Sequence, residues 1–152
     1  MCLICDRINM IKEGTNPYFV RELETGHVVI GDHQHFKGYT LFLCKEHVTE
    51  LFLLDPDVKV KYLEEMSIVA EAVSNAFGAE KMNYELLGNG DTHVHWHLFP
   101  RKSSDLDGYG NNGKGPVWWY PMEKMYHNDN RPSTEELEEM KATLAAELDR
   151  LL

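Results

Sequence analysis

His93-Val94-His95-Trp96-His97-Leu98-Phe99 alternates histidine with apolar residues. In an extended strand successive side chains point to opposite faces, so three imidazoles share one face while Val94, Trp96 and Leu98 share the other. The apolar face belongs against a core. The opposite face lines up imidazoles about 7 Å apart along the strand, beside the turn Gly88-Asn89-Gly90, whose glycines let backbone approach a ligand closely. Neutral imidazole serves near pH 7 as nucleophile, proton carrier or metal ligand. So regular an alternation argues against a solvated face that happens to be rich in histidine. A metal site within the triad is limited by reach: two histidines two apart can share an ion, but the outer pair lie too far apart for all three.

Reading outward, the Gly88–Asp91 turn joins this strand to a preceding one over Met82–Leu87. Further strand-like runs cover Tyr18–Glu22, His27–Ile30 and Tyr39–Cys44, punctuated by Gly26, Gly31 and Gly38 as antiparallel strands joined by turns would be. Asp55-Pro56-Asp57 opens a helical pattern in which Val60, Leu63, Met66, Val69, Ala70, Val73 and Phe77 recur at spacings of three and four, with Gly78 as the stop. Ser133-Thr-Glu-Glu136 is a capping-box pattern, and Leu137, Met140, Leu144, Leu148 and Leu151 continue it as a second amphipathic helix. The fold class expected is α+β, an antiparallel five-stranded sheet with one packed helix and an additional C-terminal helix. Residues 1–101 are expected to form the core, with 102–152 as a loop and helix extension of the same domain.

With 152 residues, 43% hydrophobic and 26% charged, the chain fits one globular domain. No apolar run approaches the roughly 20 residues that span a bilayer, and no secretory leader is evident at the N-terminus. The expected location is cytoplasmic, with no membrane association. A net charge of −10 argues against non-specific nucleic-acid binding, which relies on basic residues to neutralise phosphates. A small anionic substrate stays compatible, because site chemistry is local. Cys2 and Cys5 form a Cys-x-x-Cys and Cys44 stands alone; in a reducing compartment that pair reads as a metal half-site rather than a disulfide.

Together these segments resemble the histidine triad (HIT) superfamily. His93-Val-His-Trp-His-Leu-Phe99 has the family's form of three histidines alternating with apolar residues. Cys2-Leu-Ile-Cys5 is similar to its N-terminal Cys-x-x-Cys, and Gly38-Tyr-Thr-Leu-Phe-Leu-Cys-Lys-Glu-His47 to its Gly-His-x-Leu-Val-Ile-Pro-Lys-x-His segment. Asn83 to Arg101 is similar to its asparagine-containing strand, turn and histidine strand, so the resemblance covers residues 1 to 101.

The resemblance implies a HIT-like fold and a homodimer. It implies a hydrolase or nucleotidyl transferase acting at the α-phosphate of a purine nucleotide, with adenosine phosphoramidates and dinucleoside polyphosphates as candidate substrates. The middle histidine, His95, would be the nucleophile, and His97 would donate a hydrogen bond to a non-bridging phosphate oxygen. Asn89 and Thr92 are candidates for further phosphate contacts, and Asp32 for the ribose hydroxyls. Cys2, Cys5, His47 and His93 match the positions that hold zinc in a subset of the family; such a closed Cys2His2 set makes a structural site. Two other functions fit the same residues: a nucleotide sensor without useful catalysis, and a zinc hydrolase with its metal at the triad.

The chain departs from the family pattern at several points. Tyr39 stands where many relatives carry the histidine of the Gly-His pair, and Cys44 where they carry proline. Only a short turn separates Asn89 from His93, in place of a longer Gly-Gln-Ser loop. His33 and His35 are left without a role. Gly108-Tyr-Gly-Asn-Asn-Gly113 satisfies Gly-x-Gly-x-x-Gly and reads on as Gly-x4-Gly-Lys-Gly, but it lacks the strand and helix of a dinucleotide fingerprint and the Ser or Thr of a phosphate loop. Val117-Trp-Trp-Tyr-Pro121 is expected either to bury against the core or a partner subunit, or to wall the substrate pocket.

Overall fold

The computed structural model describes residues 1–152. Five strands, β1 (Phe19–Glu22), β2 (Gly26–Ile30), β3 (Thr40–Cys44), β4 (Lys81–Glu85) and β5 (His95–Arg101), form one antiparallel sheet in the order β1-β2-β3-β5-β4. The fold is α+β, as the alternation of strand and helix patterns predicts. β5 sits inside the sheet between β3 and β4, and its register pairs Leu43 with His95 and Leu41 with His97. Cross-strand partners share a face, so the sheet presents both histidines beside two leucines.

The opposite face packs under two helices. The first, residues Pro56–Phe77, begins with Pro at its first turn and ends at Gly78, which takes the left-handed φ of 67° that glycine adopts freely. Its buried stripe runs through Tyr62, Val69, Ala70 and Val73, whereas Val60 and Leu63 of the expected apolar face are exposed. The stripe also contains Glu65, whose carboxylate accepts the backbone N–H groups of Glu24 at 3.0 Å and Thr25 at 2.8 Å. A polar residue thus holds the β1–β2 turn from within the helix face. The C-terminal helix, Thr134–Leu151, is capped as predicted, the Ser133 hydroxyl accepting from the Glu136 N–H at 3.1 Å. It buries Leu137, Met140, Leu144 and Leu148.

A third helix was not expected. In chain order it is α1 (Leu3–Glu13), followed by α2 (Pro56–Phe77) and α3 (Thr134–Leu151). Its N-cap is Cys2, whose sulfur accepts the Cys5 N–H at 3.3 Å, and it stops at Gly14 with φ 75°. Ile4 and Ile8 pack on Val29 and Leu43, the sheet face that carries the histidines. Residues 102–133 form short helical turns and loops. Within them Asn111 and Asn112 sit at φ 56° and 57°, so the glycine-rich run opens no helix of the kind a phosphate loop requires. No helix is long and apolar enough to cross a membrane.

Candidate active site and metal centre

β5 begins at His95 rather than at His93. The two residues before it follow the segment after β3: the Val94 N–H donates to the Val48 carbonyl at 2.9 Å, and the Cys44 N–H to the Val94 carbonyl at 3.2 Å. This bend separates the first histidine from the other two.

His93 is fully buried. Its Nε2 lies 2.7 Å from the Cys44 carbonyl oxygen. A carbonyl only accepts, so Nε2 carries the hydrogen and Nδ1 keeps its lone pair. That nitrogen faces the sulfurs of Cys2 at 3.5 Å and Cys5 at 3.4 Å, while His47 Nδ1 lies 3.2 Å from Cys5 Sγ. All four ligand atoms fall within 4.8 Å of one another. In a tetrahedron with metal–ligand bonds of about 2.0–2.3 Å, ligand atoms stand about 3.3–3.8 Å apart; the three close pairs are near that spacing, and the set could close on one ion of zinc's size. Two thiolate sulfurs and two imidazole nitrogens are also a donor set that suits zinc. Burial and the adjacent Cys2 push the Cys5 thiol up, a cost that a coordinated cation removes. His95 and His97 lie outside this cluster.

His95 is buried, and its Nδ1 lies 2.6 Å from the His93 carbonyl oxygen. The same logic puts the hydrogen on Nδ1 and a lone pair on Nε2. The His97 ring lies 4.7 Å away, centroid to centroid, with the planes 65° apart. His97 Nδ1 meets the Tyr39 hydroxyl at 2.6 Å. Burial, and then the neighbouring His95, lower the His97 pKa to about 3, which keeps the imidazole neutral at any ordinary pH.

Two cavities share His95. One, of about 260 Å³, is walled by Ile4, Val29, Leu41 and Leu43 and also includes His97, Asp32 and Asp91. The other, of about 300 Å³, includes Asn89, Thr92 and Glu50. The predicted substrate residues are therefore divided: Asp32 lies on one side of His95, Asn89 and Thr92 on the other. Asp32 has a partner the sequence did not suggest, since Arg7 of α1 donates to it at 2.6 Å. Arg7 is the one Lys or Arg side chain lining either cavity.

The aromatic run is partly buried, and none of it lines either cavity. Val117 is buried, and Trp118 stands edge-on to His97 at 5.2 Å and to Phe99 at 5.7 Å. Trp119 is 63% exposed. His33 lines the first cavity and meets Tyr126 edge-on, whereas His35 stacks on Tyr120. Arg7 went unread because α1 did, although Ile4, Ile8 and Ile11 at helical spacing before Gly14 carried the signal.

The HIT domain profile matches residues 20–104. A Bacillus subtilis (strain 168) protein named Protein hit is 27% identical over 118 residues, spanning 74% of this chain and 72% of its own. A histidine triad protein from Marinobacter aquaeolei VT8 superposes with a TM-score of 0.68 at 21% identity, covering 88% of this chain and 90% of that one. A zinc-bound histidine triad family protein from Mycobacterium smegmatis gives a TM-score of 0.64 at 21% identity, over 99% of this chain and 94% of that one. These two structures share the fold, and the profile spans more than half of the sequence with the triad inside it. The chain belongs to the HIT domain family of histidine triad proteins.

Proposed function

We propose that the protein is a nucleotide hydrolase or nucleotidyl transferase that breaks a bond at the α-phosphorus through a nucleotidyl-His95 intermediate. The observation that carries this reading is the 2.6 Å bond from His95 Nδ1 to the His93 carbonyl, which leaves the Nε2 lone pair available as nucleophile. Nε2 forms a P–N bond as the bond from phosphorus to the leaving group breaks, and the leaving group takes up a proton. Water then attacks phosphorus, the P–N bond breaks, and the imidazole and a nucleoside monophosphate are released. One hard displacement becomes two easier ones. His97 would donate to a non-bridging oxygen, where negative charge grows in the transition state. Asn89 and Thr92 would contact the phosphate from the second cavity. Asp32 would bind the ribose of a purine nucleotide while shared with Arg7.

Of the two substrate classes, the lining charges favour the phosphoramidate. Asp91 and Glu50 border the cavities, and the one cation, Arg7, is paired with Asp32. A polyphosphate leaving group carries several negative charges and needs unpaired cations, whereas an amine does not. Cys2, Cys5, His47 and His93 would hold a zinc ion, which would supply a structural crosslink between α1 and the start of β5.

The test is a panel of AMP-amine amidates, dinucleoside polyphosphates and nucleotide sugars, read by turnover and by intact mass after acid-free quenching. A nucleotidyl adduct is expected on the wild type, with amidates turned over fastest. His95→Ala should lose the adduct and at least about 10³-fold in turnover. Full turnover by His95→Ala on every nucleotide that the wild type cleaves would sink the assignment.

A further inference from the structure

His95 and His97 share one strand face, yet the proposed reaction asks opposite things of them: a lone pair from one and an N–H from the other. For His95 the His93 carbonyl settles the matter. For His97 the partner is a phenol, 2.6 Å from Nδ1, and a phenol can give or take the bond. What decides the direction is where the Tyr39 hydrogen can go. Tyr39 is 5% exposed, and His97 Nδ1 is its hydroxyl's one hydrogen-bond partner in the fold. If the imidazole donated, the phenolic O–H would be buried without an acceptor, which costs more than the bond returns. The hydroxyl therefore donates to Nδ1. A neutral imidazole carries hydrogen on one nitrogen only, so the other, Nε2, bears it.

We propose that Tyr39 is a positioning residue that locks His97 in the Nε2–H tautomer, making it a fixed hydrogen-bond donor toward the phosphate held at His95. Its use in catalysis rests on the nucleotidyl-transfer reading; the lock itself does not. Neighbouring strand β5, Tyr39 is seated by its surroundings. Its ring stacks on Phe99 at 4.2 Å with the planes 8° apart, and Trp118 stands edge-on to His97. The backbone at Gly31 lies so close under the Tyr39 ring that any side chain there would overlap it. Burial holds the phenol well above its ordinary pKa, so its proton stays in place. The two rings, their centroids 4.7 Å apart, thus offer substrate a lone pair and a donor, each fixed from behind by a different kind of acceptor or donor.

Two-bond ¹H–¹⁵N correlation spectra read the tautomer of each histidine. The wild type should show His97 as Nε2–H and His95 as Nδ1–H. Tyr39→Phe keeps the ring stack and deletes the hydroxyl. It should give mixed tautomers at His97, leave His95 unchanged, and lower kcat about tenfold or more, with KM moving by less than about threefold. A wild-type His97 with its hydrogen on Nδ1 overturns the lock, as does a Tyr39→Phe variant whose His97 spectrum is unchanged; an unchanged kcat with mixed tautomers overturns its use in catalysis. A wild type that turns over no nucleotide defeats the catalytic reading alone, because the spectra still decide the tautomer.

Discussion

At His97 the folded state refuses a proton that the unfolded chain accepts. Burial and His95 bring its pKa from 6.5 to about 3. Above pH 6.5 both states are neutral and the residue adds no pH dependence. As pH falls below 6.5 the unfolded chain binds the proton and the folded one does not, so stability is lost down to about pH 3. The slope from this one group approaches about 1.4 kcal/mol per pH unit. His27, buried and likewise lowered by desolvation, adds to the wild-type slope, so the informative quantity is a difference. Urea melts of wild type and His97→Gln between pH 6.5 and 4.5 should converge on acidification, the wild type losing stability faster. Parallel curves would mean that His97 is solvated in the folded protein.

Between residue and molecule, the elements act mainly by holding backbone in place. Gly31, just past β2, leaves room for the Tyr39 ring, and a methyl group there would overlap it. Gly31→Ala is expected to cost about 1–3 kcal/mol as an overpacked site, seen as a lowered urea midpoint, and to displace Tyr39 from His97. A variant as stable as the wild type, with the His97 tautomer retained, would show that the ring can shift without cost. That role was not visible in the sequence, where Gly31 reads only as a turn. Periodicity made β5 and the apolar side of α3 legible, because histidine and leucine spacings report directly which face is buried. The four candidate metal ligands were legible by resemblance, and their proximity follows from α1 crossing the histidine face. The start of β5, the Arg7–Asp32 pair and the Tyr39–His97 bond were not legible. Each depends on a long-range approach, of backbone in the first case and of side chains in the other two, which no local spacing encodes. On α2 the expected stripe took in exposed Val60 and Leu63 and missed Glu65, which is buried where its carboxylate holds a turn.

For the molecule as a whole, α1 joins the candidate metal centre to the proposed active site. Cys2 and Cys5 belong to the Cys/His cluster that could hold a metal, and Leu3, Ile4 and Arg7 line the cavity at His95. Metal analysis of the purified protein should find one zinc per chain. Chelation should lower the thermal midpoint by several degrees and raise KM more than it lowers kcat, since the cavity wall loosens while His95 keeps its backbone acceptor. Verified metal loss with midpoint and KM both unchanged would remove the crosslink from the account. The cluster also joins positions distant in sequence: Cys5 and His93 are 88 residues apart, and the apolar side of α1 rests on Val29 and Leu43. During synthesis the helix is made long before the strand that anchors it. Its two isoleucines have no complete surface to settle on until β2 and β3 have paired, and its cysteines have no full ligand set until His93 emerges. Made before β2, β3 and β5, α1 is thus seated after them, and Cys2 and Cys5 stay without their His93 neighbour through most of the assembly of this fold.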